Sequence, residues 1–257
     1  MMSRIKKLEL WVLVLWNIPA FILSYYYGSN YIITALLFFG VPAAYISVKR
    51  ENLIKKITTV SLVMSIPAVT VIDYLAFKDG SWYNPSTVGI HFFGAYPVDD
   101  FLWAFLCFYY VIGVYEYFFE RERILKVSKK FIGFEKVGLI ASVLFSAFLY
   151  FSGDVVIIPF FYIKMIGIIL LFIPMIIFLA HPKIFAKALY TGLLFVPLFI
   201  LYEYVANIKE NWFFPGTNFI GYVQFLNVSI PLEELLWLLF FAPAVVAIYE
   251  FLADDDR

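Results

Sequence analysis

Long apolar runs separated by short polar clusters dominate the chain. Eight runs approach the about 20 residues that a helix needs to cross a bilayer. They are Leu8–Tyr27, Tyr31–Val48, Ile57–Phe77, Val98–Phe119, Val137–Phe151, Phe160–Ala180, Ile184–Ala206 and Pro231–Leu252, and the fifth is the shortest. The pattern predicts an all-α integral membrane protein with eight transmembrane helices. Arg4, Lys6 and Lys7 ahead of the first run imitate a signal peptide. Trp11, Trp16 and Pro19 interrupt that run and no small-x-small cleavage pattern follows, so it reads as a retained first span.

The polar clusters sort by charge. With eight spans, the N-terminal tail, the second, fourth and sixth loops and the C-terminal tail share one side and hold 16 of the 19 Lys and Arg residues. Lys78 and Lys209 fall on the other side, and Lys164 lies inside the sixth run, where it can snorkel outward or pair with an acid. This is the positive-inside pattern, and it predicts a multi-pass protein of the cell membrane with both termini cytoplasmic. The formal net charge of zero hides a polarity: 16 bases and 10 acids inside, 3 bases and 9 acids outside or in the outer half.

An internal repeat underlies the runs. Pro97-Val-Asp99-Asp100-Phe-Leu-Trp103 returns as Pro231-Leu-Glu233-Glu234-Leu-Leu-Trp237, and Tyr115-Glu116 returns as Tyr249-Glu250, all offset by 134. Upstream, Pro67, Asp73-Tyr74, Trp82 and Pro85 match Pro197, Glu203-Tyr204, Trp212 and Pro215 at an offset of 130. Pro42 and Pro174 correspond at 132. Residues 1–125 and 126–257 therefore read as two transmembrane repeats of four spans each. An even number of spans makes the halves parallel, related by an axis along the membrane normal. Duplication alone explains the apolar matches but not the retention of costly acids in both copies.

Six acids belong to the repeat: Asp73, Asp99 and Asp100, then Glu203, Glu233 and Glu234. The adjacent pairs open spans four and eight, each after a proline suited to a first helical turn. The helix dipole favours acids there by about 0.3–1 kcal/mol, which is their ordinary structural explanation. Asp73 and Glu203 lie near helix C-terminal ends, where the dipole disfavours anions, and an ionisable residue at membrane depth is a functional candidate. Trp103 and Trp237 follow the acid pairs by three to four residues and lie one turn deeper. Trp82 and Trp212 belong either to the same site or to an interfacial aromatic belt.

Other chemistry is poorly supported. Cys107 is the single cysteine and His91 and His181 lie far apart, against a disulfide framework, a thiolate or imidazole metal site, or a Ser-His triad. Balanced charge gives no reason to expect a nucleic-acid partner. No dinucleotide fingerprint, P-loop or D-x-x-x-D diphosphate motif occurs, so no cofactor or metal is implied. Cys107 reads as packing, His91 as a loop hydrogen-bonder, Glu116 and Glu250 as structural partners of basic loops, and Asp254–Asp256 as a solvated tail. What remains is carboxyls above aromatic faces in hydrocarbon. A carboxyl in a low-dielectric site can stay protonated and act as an acid. A second, ionised carboxylate and tryptophan faces stabilise a cation, and exclusion of water protects it. That combination suits acid-initiated cyclisation of a polyene.

At these residues the chain resembles the membrane carotenoid-cyclase domain family, whose P-x-E-E motif opens a transmembrane helix. The run Asn227-Val-Ser-Ile-Pro231-Leu-Glu233-Glu234-Leu-Leu-Trp237, with Glu203, Trp212 and Pro215 upstream, carries the resemblance, and it extends over about residues 31–252. The family includes two-subunit lycopene cyclases of actinobacteria, single-chain archaeal cyclases and the cyclase half of fungal bifunctional enzymes. The resemblance implies a lycopene β-cyclase, an isomerase of the intramolecular lyase type that closes lycopene end groups to β-ionone rings and yields β-carotene without net redox change. It implies lycopene or a related acyclic carotenoid as substrate, membrane lipid as surroundings and no cofactor, and it leaves room for association with other carotenoid-pathway enzymes. In the first half Pro97-Val-Asp99-Asp100 carries aspartates in place of the glutamates. The expected acid is therefore Glu234 or Glu233, with Asp99, Asp100, Asp73 and Glu203 stabilising charge or relaying protons, and Trp103, Trp237, Trp82 and Trp212 holding substrate. A transporter with duplicated halves, a prenyl transferase and a non-catalytic carotenoid-binding membrane protein are the alternatives. The first should trace acids across the membrane, and the second should show a metal-diphosphate motif.

Overall fold

The computed structural model describes residues 3–92, 94–120, 127–152 and 156–253. Eight of its helices are long and apolar enough to cross a membrane, which makes the chain an all-α, multi-pass membrane protein. They are α1 (Arg4–Tyr26), α2 (Tyr31–Lys49), α3 (Glu51–Asp79), α4 (Asp99–Phe119), α5 (Lys129–Ser152), α6 (Phe161–Ala180), α7 (Pro182–Ile208) and α8 (Leu232–Ala253). Several helices run past their apolar runs because polar ends continue the backbone hydrogen bonding. The fifth run, short in hydropathy, thus sits in a 24-residue helix. Asp154, Arg121, Arg123, Lys126, Asp254–Asp256 and Arg257 lie outside the described residues.

α4 and α8 form the centre. Buried positions make up 78% of the most apolar window of α4 and 50% of that of α8, against 11% for α5 at the periphery. α3 packs along α4, and α7 along α8. In lipid, small residues let helices approach closely. Gly192 of α7 shows this: a Cβ there would lie 2.5 Å from Cγ of Pro243 on α8. Three helices carry π-helical stretches in their middles, at Leu36–Gly40 in α2, Ala68–Asp73 in α3 and Ile166–Phe172 in α6, and α4 ends in one at Tyr115–Phe119. The stretch in α3 follows Pro67, which removes a backbone donor and crowds the preceding turn. α7 passes through Pro197 as unbroken α-helix.

Polar groups close the bundle at both ends. At the basic end the Lys56 ammonium donates to Glu116 Oε1 at 2.9 Å, fully buried, and Lys187 donates to Glu120 at 2.7 Å. Two tyrosines cross between the halves there: Tyr115 donates to Glu250 and Tyr249 to Glu116. Glu116 and Glu250 are thus structural partners, as their sequence context suggests.

At the acidic end two short antiparallel hairpins precede the central helices. β1 (His91–Phe92) pairs with β2 (Tyr96–Pro97) ahead of α4, and β3 (Tyr222–Phe225) pairs with β4 (Val228–Pro231) ahead of α8. Pro97 and Pro231 therefore end strands instead of occupying a first helical turn. The two loops meet across the molecule: Tyr83 and Phe213 exchange backbone hydrogen bonds of 2.9 and 3.0 Å, and Gly216 N–H donates to Gly80 O at 2.8 Å.

Candidate active site

All six repeat-matched acids gather at the acidic end. Asp99, Asp100, Glu203, Glu233 and Glu234 are between 0 and 6% exposed, and Asp73 is half-buried. A buried carboxyl needs partners, because an unpaired one costs several kcal/mol. The partners divide each acidic pair into two functions.

Asp99 and Glu233 turn to the loops. Asp99 Oδ2 accepts from the Thr87 N–H and from Ser86 Oγ at 3.2 Å, and Glu233 Oε1 accepts from the Ile220 N–H at 2.7 Å. Each fastens the loop before its helix. Asp100 and Glu234, one residue and about 100° further round the helix, face the interior. Asp100 Oδ1 accepts from the Tyr31 hydroxyl and the Asn84 side-chain amide, each at 2.8 Å. Glu234 accepts from the Tyr162 hydroxyl and interacts directly with Glu203. Asp73 lies within electrostatic reach of Asp100.

The tryptophans complete a closed circuit. Trp212 Nε1 donates to Glu203 Oε1 at 3.0 Å, and the Trp82 side chain lies beside Asp73. The Tyr31 ring meets the Trp212 ring edge-on at 5.9 Å, and the Tyr162 ring meets that of Trp82 at 4.9 Å. The order is Asp100, Tyr31, Trp212, Glu203, Glu234, Tyr162, Trp82, Asp73 and back to Asp100. Within this circuit the hydrogen bonds stay within a half, and the ring contacts cross between halves. Trp103 and Trp237 stack in the middle, 5.9 Å apart and 29° from parallel. Trp82 and Trp212 both line the cavity that this ring faces.

Beneath this ring is a cavity of about 710 Å³. Its polar lining is confined to the ring end, where Asp73, Asp100, Glu234, Tyr31 and Tyr162 face it over Trp103 and Trp237. Everything deeper is aliphatic or aromatic, as far as Phe251 and Leu252 at the other end of α8. Tyr96, on the hairpin outside the helices, sits beside Asp73, and burial together with that charge pushes its phenol up to about 12, so it stays neutral.

Sequence reasoning missed Tyr31, Tyr162 and Asn84. The tyrosines stand 131 residues apart, within the range of repeat offsets, and that spacing was the available signal. The remaining candidates have plain structural places. A ring nitrogen of His91 lies 3.3 Å from the Asn84 carbonyl oxygen, Cys107 is packed in the core, and Lys164 snorkels out to donate to Pro159 O at 2.7 Å. Among the described residues no cluster of His, Cys, Asp and Glu is arranged to hold a metal ion.

A family model described as lycopene cyclase matches residues 30–118. No curated protein and no solved structure matches the chain. The matched stretch holds Tyr31, Asp73, Trp82, Asn84, Asp100 and Trp103, the first-half portion of the ring, so that over residues 30–118 the chain is similar to the lycopene cyclase family.

Proposed function

We propose that this protein is a lycopene β-cyclase, built from two four-span repeats with both termini cytoplasmic, converting lycopene to β-carotene by acid-initiated, non-redox cyclisation. The observation that carries this is a deep apolar cavity whose charged lining, among the described residues, is a set of carboxyls beside stacked tryptophans. The family match supports an acyclic carotenoid as substrate.

In this reading Glu234 is the acid, because its carboxyl lines the cavity while Glu233 is bonded to loop backbone. Its proton adds to the terminal carbon–carbon double bond and leaves a tertiary cation. The nearby internal double bond supplies the electron pair for the new ring bond, which moves the cation into the ring. A ring carbon then releases its proton to a carboxylate, with Asp100 facing the same space, and the ring double bond forms. One proton enters and one leaves, so the balance closes without oxidant or reductant. Trp103 and Trp237 stabilise the cation through their ring faces. Glu203, held by the Trp212 N–H, and Asp73, beside Trp82, hold or return the proton.

Expression of the chain in a lycopene-accumulating bacterium, followed by chromatography of the pigments, tests this. β-Carotene should replace lycopene. Unchanged lycopene with the protein present in the membrane would overturn the assignment and favour a carotenoid-binding or transport role.

A further inference from the structure

The ring of acids is two-fold in pattern, but the space below it is one-sided. The large cavity lies between α3, α6 and α8. Its counterpart by the repeat lies between α7, α2 and α4, where the Phe39 ring of α2 packs on Phe199 and Tyr202 of α7 at 6.2 and 4.8 Å, and the space left beside it, between α1, α4 and α7, holds about 10 Å³. Comparing positions at the repeat offsets explains why. Where α3 has Ala68 beside the open cavity, α7 has Leu198 at an offset of 130, and Leu198 lines the closed space. Where α8 has Ala244, α4 has Tyr110 at an offset of 134, packed against Phe195 at 4.9 Å. Leu13 and Asn17 of α1 fill what remains. α3 is also π-helical from Ala68 to Asp73, while α7 is not.

The open space has the shape of a slot. From Glu234 to Leu252, both of which line it, are 18 residue steps of α8, about 27 Å at 1.5 Å each. Carboxyls occur at one end alone, and Phe134, Ile176 and Phe251 at the far end are also exposed on the outside of the bundle. An apolar rod entering there brings one tip to the acids and keeps its other tip far from them.

We propose that the chain has a single end-on slot for one linear polyene, kept open by Ala68 and Ala244, and that its twin has been closed by Leu198 and Tyr110. Asp100 and Glu234 then serve the same substrate tip, and a polyene with two reactive ends must leave, reverse and re-enter between cyclisations. This rests on the cyclase reading for the identity of the rod and for the chemistry at its tip.

The test combines stoichiometry with residue exchange. Protein purified in detergent from lycopene-making cells should retain one polyene per chain, read from pigment absorbance against protein. Ala68→Leu with Ala244→Tyr, which installs the closed-side residues, should lower bound polyene and cyclised pigment at least tenfold at unchanged melting temperature. Leu198→Ala should change neither. Should the double variant fail to accumulate, Ala68→Val gives the intermediate loss, and the wild-type stoichiometry decides on its own. In a time course, pigment with one ring should accumulate free before pigment with two. Two polyenes per chain, or a folded double variant with wild-type pigment retention, overturns the slot even if rings form. Bound polyene without ring formation in the wild type leaves the slot standing and removes the cyclase reading.

Discussion

Two adjacent glutamates differ here by what they meet. Glu233 accepts from a backbone N–H, a bond that glutamine also makes, whereas Glu234 faces the cavity with a carboxyl. Glu234→Gln should therefore cost about 10²–10⁴-fold in ring formation, while Glu233→Gln stays within a few-fold of wild type, measured as cyclic pigment in lycopene-making cells. Equal activity of both variants would remove Glu234 from the mechanism. Tyr162→Phe takes a donor from buried Glu234 and should cost about 1–3 kcal/mol of stability, read as a lower thermal midpoint in detergent. The six acids and four tryptophans were legible because acids and indoles are conspicuous in an apolar chain. Which acid of each pair turns inward was not, since helical spacing says only that they diverge. The phase is set by where each hairpin releases its helix. Tyr31 and Tyr162 were hidden among 19 tyrosines.

The spans were legible from hydropathy, since lipid leaves the backbone few choices. The hairpins were not, because two to four paired residues leave little pattern. They fix the loops over the acids, and one close contact between those loops is Gly80 on Gly216. Gly80 has φ +73°, and a Cβ would meet the Gly216 Cα at 2.8 Å. Gly80→Ala should push the two loops apart and destabilise the protein by more than the about 1 kcal/mol expected of the backbone conformation alone, read as a lower thermal midpoint. Pro67 and Pro197 carry a second lesson. The same residue at matched positions gives a π-helical stretch in α3 and none in α7, so the outcome depends on neighbours that a one-dimensional pattern does not contain.

Across the whole molecule, charge separates the two ends. The acidic end holds the ring, and the basic end holds the buried Lys56–Glu116 pair. Lys56→Met removes the cation from a buried carboxylate and should destabilise by about 3–5 kcal/mol, whereas Lys56→Met with Glu116→Leu should recover much of that. Thermal melts of the two variants check this. Reporters inserted after Lys55 and after Lys78 should label from opposite faces of the membrane, the first from the cytoplasm. Labelling of both from one side would overturn the charge-based orientation. The sequence offsets propose a duplication, but they say nothing of a closed twin, since alanine against leucine or tyrosine looks like ordinary apolar drift until the helices are packed. The crossing of partners has a further consequence. Each half supplies the acids and their donors, yet takes from the other the aromatic faces that hold those donors in place. A half made in excess would be left with buried carboxyls and no cover. Covalent joining fixes the supply of the two at one to one, so no surplus half is ever left in the membrane for quality control to remove.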